Sequence, residues 1–119
     1  MASPTDSLEN LRVKLETFAA ERDWNQFHNP KNLAMALSAE AGELLEHFQW
    51  LTPDQAAHLA PDTREAVALE CADVLLFLIR LADKLNIDLA DATRRKLELN
   101  AQKYPVEKSR GVATKYDKL

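Results

Sequence analysis

Two glycines in 119 residues leave little room for any architecture but helices. A β-rich domain of this length needs many tight turns, and glycine supplies the positive φ values that such turns demand. An α/β nucleotide fold needs a glycine-rich loop against the phosphates. Gly42 and Gly111 stand alone, so neither pattern is present. Pro4, Pro30, Pro53, Pro61 and Pro105 fall between apolar-periodic segments rather than inside them. No segment alternates apolar and polar residues with period two. The expected class is all-α, a four-helix bundle-like arrangement with short connections.

Start and stop signals divide the chain. The first helix is expected from about Thr5 to Arg22, with Leu8, Leu11, Leu15 and Phe18 at helical spacing. The connection from Asp23 to Asn29 carries Trp24, Phe27 and His28. Asn29 reads as an N-cap with Pro30 at the first helical position, opening a second helix to about Leu51. Thr52-Pro53-Asp54-Gln55 fits a capping box for one short turn. Asp62 with Glu65 opens a third helix that ends near Leu85. Asp88 caps a fourth, which must stop before Pro105. Residues 1–104 read as one domain and residues 105–119 as a basic polar tail.

Composition narrows the setting. Hydrophobic residues at 46% and charged residues at 29% describe a chain that folds. The net charge of -4 argues against a nucleic-acid polymer as partner. Cys71 is the single cysteine, which excludes a disulfide within the chain and a cysteine-built zinc site. On its apolar helix it reads as a small buried hydrophobe. The opening MASPTDSLEN lacks the basic start and apolar core of a secretory signal. The longest apolar stretch, Ala66 to Ala82, is interrupted by Glu70, Asp73 and Arg80 and is too short and too charged to span a bilayer. A cytoplasmic protein without membrane association is expected. The charge is unevenly spread: residues 1–93 carry 7 basic and 16 acidic side chains, residues 94–119 carry 8 and 3. The basic end suits a helix C-terminus, and it equally suits an arm sharing a polyanionic ligand with an acidic site.

Carboxylates lie where a core is expected. At about 100° per residue, Glu40 falls at the centre of the stripe formed by Leu33, Leu37, Leu44 and Leu51, with Glu43 on its flank. Glu70 is surrounded by Ala66, Val67, Val74, Phe77 and Leu81, and Asp73 follows one turn on. An unpaired carboxylate in an apolar stripe is expensive. Salt bridges to Arg22, Lys31, Arg80 or Lys84 are one solution. Divalent metal is another, and all-oxygen ligation suits Mg²⁺ or Mn²⁺. Bundle di-iron sites use Glu-x-x-His, and no histidine here stands three residues after a glutamate, so magnesium is preferred.

Magnesium on carboxylates commonly engages substrate phosphates. Lys96, Asn100 and Lys103 share one stripe of the fourth helix and could clamp a polyphosphate, or form a solvated basic face. Trp24, His28 and Trp50 stand at helix ends, where aromatic faces can stack on a nucleobase or simply pack. His47 and His58 read as structural or exposed.

The chain resembles the all-α nucleoside triphosphate pyrophosphohydrolases, the MazG-like group. That group carries Glu-x-x-Glu on one helix and Glu-x-x-Asp on the next, here Glu40-Ala-Gly-Glu43 and Glu70-Cys-Ala-Asp73. The stretches ERDWNQFHNPKNLAMALSAEAGELLEHFQW, ECADVLLFLIRLAD and NAQKYPVEKSRG are similar to its dCTP pyrophosphatase branch, over nearly the whole chain. The resemblance implies cleavage of a (deoxy)nucleoside triphosphate between the α and β phosphates, giving monophosphate and pyrophosphate. It implies Mg²⁺ on Glu40, Glu43, Glu70 and Asp73; for the mechanism, Glu43 is expected to hold or deprotonate the attacking water. It implies Trp24, His28 and Trp50 around base and sugar, and Lys96, Asn100, Lys103, Arg110 and Lys115 toward the phosphates. It implies a homo-oligomer, a dimer or a dimer of dimers, which a small chain with a broad apolar third helix also suits. Where that branch has a tyrosine and a histidine, this chain has Phe77 and Leu15, so Phe77 brings no hydroxyl to the metal cluster and cytosine discrimination is expected to loosen. A non-cytosine nucleotide, or a non-catalytic helical binding and oligomerisation module, are the competing expectations.

Overall fold

Local capping chemistry sets most helix boundaries in the computed structural model, which describes residues 7–119. Helix α1 spans Leu8–Glu21, and the Ser7 side chain accepts from the Asn10 N–H at its start. The expected start at Thr5 lies outside the described residues. Asp23, at φ 55°, turns the chain out of α1 into a 3₁₀ turn, Trp24–Gln26. Short polar side chains tolerate that left-handed geometry best after glycine.

Helix α2 spans Pro30–Glu46, and Asn29 caps it by accepting from the Asn32 N–H, as expected. It ends well short of Leu51. His47 and Phe48 bond back to Leu44 and Leu45, the tighter three-residue spacing, and residues 47–50 form turns. No glycine or proline marks that end, so the periodicity alone overshoots it. Helix α3 spans Pro53–Ala57 behind a complete Thr52/Gln55 capping box.

Helix α4 spans Pro61–Lys84. Its cap is Ala60 with Pro61 at the first position, so Asp62 sits inside the first turn rather than before it. There its charge still complements the helix dipole. The C-terminus closes as a Schellman motif: Asn86 adopts φ 56°, its N–H bonds Asp83 O at 3.1 Å, and the Ile87 N–H bonds Ala82 O at 2.8 Å. Helix α5 spans Leu89–Lys103, capped by the Asp88 side chain as expected. The segment expected as a polar tail holds a short helix, α6 (Val106–Ser109), and a 3₁₀ turn, Tyr116–Lys118. Every described element is helical.

The described residues fall into two compact units, parted between Ile87 and Asp88. In the first, α2 and α1 both pack on α4. Ala19, Leu33, Ile79 and Ala82 form its buried core, and the two alanines let helices approach closely. Met35, Leu45, Leu69, Leu75 and Leu78 remain exposed on α2 and α4. Cys71 is exposed as well, against the expectation of burial. In the second unit, Tyr104 meets Tyr116 edge to face at 6.0 Å and the Lys103 ammonium lies 4.8 Å from the Tyr116 ring. No described helix is long and apolar enough to cross a membrane.

Candidate active site

The packing of α2 on α4 brings carboxylates together. Glu40 and Glu43 lie one turn apart on α2, and Glu70 faces them from α4. One oxygen from each lies within 4.8 Å of the others. Glu70 is buried, Glu40 half-buried and Glu43 exposed. A hydrogen bond with Glu40, then desolvation, then a hydrogen bond with Glu43, push the Glu70 carboxyl up to about 8. Like charges held this close cannot all ionise, so the group keeps a proton that isolated carboxylates would lose. Glu40 Oε2 is buried without a hydrogen-bond partner.

None of the four cations available in sequence answers that charge. Arg80 pairs with Glu16 and Asp83, Lys84 donates to Asn25, and Arg22 pairs with Glu21 and lies over the Phe18 ring. Lys31 makes no ion pair to the cluster among the described residues. The salt-bridge solution therefore fails. An all-oxygen donor set, an orphaned buried oxygen and a retained proton fit a hard divalent cation, whose binding would displace that proton. Asp73, one turn beyond Glu70, is exposed and stands outside the group of three. Phe77, a further turn along, is half-buried.

The aromatic residues divide. Trp24 lies 5.6 Å from Phe18, edge to face, and 6.0 Å from the His28 ring, tilted by 58°. Trp50 follows α2 in the turn region, 87% exposed. Lys96 and Lys103 are exposed and Asn100 is half-buried on α5, in the second unit. Arg110 and Lys115 are exposed in the same unit.

Sequence reasoning missed the groups that hold His28. Arg80 Nε donates to His28 Nδ1 at 3.0 Å, and Arg80 also reaches Glu16 and Asn25. The available signal was an arginine interrupting the most apolar stretch of the chain, which requires buried partners somewhere.

The chain is similar to several known proteins. A profile described as the MazG-like family matches residues 35–119. Mouse dCTP pyrophosphatase 1 is 46% identical over 119 residues, covering 98% of this chain and 70% of that protein. The human dCTP pyrophosphatase 1 is 43% identical with the same coverage. A crystal structure of a pyrophosphatase from Archaeoglobus fulgidus superposes with a TM-score of 0.79 at 38% identity, covering 88% of this chain and 98% of that one.

Proposed function

The chain belongs to the MazG-like family, and we propose that it is a metal-dependent dCTP pyrophosphohydrolase that yields dCMP and pyrophosphate and so cleans the nucleotide pool. The observation that carries this reading is the carboxylate group on α2 and α4, buried in part, short of protein counter-charge, and set in a chain 43% identical to a dCTP pyrophosphatase.

Glu40, Glu43 and Glu70 would hold Mg²⁺, or Mn²⁺ in its place, with Asp73 as a fourth carboxylate one turn beyond Glu70. A divalent cation there would supply charge stabilisation at phosphorus and a more acidic water. Glu43, the exposed member, holds the attacking water and takes its proton as the water oxygen bonds to the α-phosphorus. The bond from that phosphorus to the bridging oxygen breaks, and pyrophosphate leaves with the electron pair. Trp24, His28, Trp50 and Phe77 line the nucleoside half of the substrate, and Lys96, Asn100 and Lys103 neutralise the phosphates. Phe77 offers an apolar wall without a hydroxyl, which favours acceptance of 5-modified cytosine or other bases beside dCTP.

The working form is proposed as a homo-oligomer, a dimer or dimer of dimers, in the cytoplasm. Four buried apolar residues among those described make a thin core, and Met35, Leu45, Leu69, Leu75 and Leu78 are apolar surface that a second copy would cover. Light scattering on the purified protein tests the assembly, and a monomer at all concentrations would remove it. Ion-exchange analysis of products from a dNTP panel, with and without Mg²⁺, tests the reaction. Monophosphate with pyrophosphate, in metal only and fastest from dCTP, is expected. No turnover of any nucleotide would leave a binding module.

A further inference from the structure

Arg80 is a cation with almost no contact with water, its side chain 3% exposed. A buried guanidinium is tolerable only when its N–H groups meet acceptors in their fixed fork. They do: Nη1 donates to Glu16 and lies 3.5 Å from Asp83, Nη2 donates to Asn25 Oδ1, and Nε donates to His28 Nδ1 at 3.0 Å. Lys84 donates to the same Asn25 oxygen at 3.1 Å.

The last of the arginine contacts has a chemical consequence. Arginine keeps its protons in any protein, so Nε can only donate and His28 Nδ1 can only accept. An imidazole that accepts at Nδ1 carries its proton on Nε2. Burial, then the positive charges of Arg80 and Lys84, hold the His28 pKa below the usual histidine value, against the opposing pull of Glu16. The ring is therefore neutral, in one tautomer, with Nε2–H unclaimed by any described residue. Beside it stands Trp24, 42% exposed, with Phe18 in a T-shaped contact. A fixed donor next to a part-exposed indole suits a flat heterocycle bearing an acceptor oxygen nearby.

We propose that Arg80 is a positioning residue that holds His28 as the Nε2–H tautomer, so that His28 donates a hydrogen bond to an acceptor oxygen on the nucleoside half of the substrate beside Trp24. The ligand assignment rests on the nucleotide reading above, whereas the tautomer does not. Arg80 touches no reacting atom; it acts through His28.

The tautomer is read directly by long-range proton–nitrogen correlation on the ligand-free protein at pH 7, the His28 signals being identified by their loss in His28→Gln. Protonation at Nε2 alone is expected, and protonation at Nδ1 overturns the proposal. Kinetics with dCTP then test the coupling. His28→Ala and Arg80→Met each raise KM about tenfold, the size of one lost hydrogen bond and its orphaned partner, with kcat changing less. In the His28→Ala background, Arg80→Met leaves KM unchanged although it still lowers Tm. An equal KM penalty in both backgrounds overturns the positioning role. Should Arg80→Met fail to fold, His28→Gln and His28→Asn replace it. The Gln amide reaches the Nε2 position and keeps KM near that of the unaltered chain, while Asn behaves as Ala; the reverse order overturns the proposal. Repeating His28→Ala with 2′,3′-dideoxycytidine triphosphate separates the acceptors: its penalty vanishes for a sugar hydroxyl and persists for a base carbonyl. No dCTP turnover by the unaltered protein would sink the functional reading and the ligand with it, while the tautomer measurement still decides the role of Arg80.

Discussion

Helix α4 buries two charged side chains ten residues apart, Glu70 and Arg80, and treats them oppositely. Arg80 is surrounded by protein: two carboxylates, an amide and an imidazole occupy its guanidinium. Glu70 is surrounded by its own kind, with Glu40 and Glu43 as its neighbours and no described cation among them. A buried charge with a full set of protein partners is a finished structure. A buried charge crowded by like charges lacks the partner that the protein would otherwise supply. Burial of an ionisable residue therefore says little by itself, and the sign of its neighbours separates scaffold from site.

The sharpest break in this comparison comes from removing each charge in turn. Glu43→Ala and Asp73→Ala should each lower kcat on the order of a thousandfold or more in a product assay, with the far-ultraviolet circular dichroism unchanged. Retained activity in either would remove the metal mechanism. Arg80→Ala should do the reverse in kind, lowering stability in urea by roughly 3 kcal/mol because Glu16, Asn25 and His28 lose their shared partner, while Asp83 keeps Arg12. Neutralising Glu70 as Glu70→Gln should instead raise the metal-free Tm at pH 8. If Arg80→Ala and Glu70→Gln shift stability in the same direction, the contrast between the two ends of α4 is wrong.

Acid and metal sharpen the same contrast. The Glu70 pKa stands at about 8 in the folded chain against 4.5 as a free carboxyl, so the folded state holds an extra proton between those values. Its contribution to stability is fully present below about pH 4.5 and is lost as pH rises through 8. Metal-free protein should therefore melt progressively lower from pH 5 to pH 8, and Glu70→Gln should flatten that slope. Mg²⁺ should restore the loss, about 2.7 kcal/mol at a hundred times its Kd, and more strongly at pH 8 than at pH 6 because protons compete for the same oxygens. The smallest expected effect belongs to Gly42, between the two α2 carboxylates. A Cβ there meets nothing within 4 Å, so Gly42→Ala should stabilise the monomer by about 1 kcal/mol in urea. Loss of assembly in that variant would show instead that a second copy lies close against α2.

Legibility in the sequence followed the range of the interaction. Asn29, Thr52 and Asp88 are caps whose partners lie three residues away, and all three could be read off. The convergence of Glu40 with Glu70 could be anticipated because each lies on an apolar stripe and apolar stripes of neighbouring helices face one another. The end of α2 could not, because the chain leaves the helix through tightened hydrogen bonds at His47 and Phe48 with no residue that demands it. Ala60 as the cap of α4 was hidden behind Asp62, which has the right chemistry in the wrong place. Apart from Asp83 one turn on, the partners of Arg80 lie 52 to 64 residues away, at His28, Asn25 and Glu16, and no local pattern encodes which of the offered acceptors it takes. The same gap separates the role expected of Asp73 from its position, since spacing aligns it with Glu70 without bringing it into the group of three.

Trp50 gives the chain an optical reporter. With 87% of its surface in water, its indole should emit as a solvent-relaxed fluorophore, and Trp24, 42% exposed and packed against Phe18 and His28, should emit further to the blue. Whatever covers Trp50 shifts the spectrum toward the blue. A nucleotide seated there would do so as its own concentration rises, and a second copy of the chain would do so as the protein's rises, so one emission band would distinguish occupancy from assembly without any label.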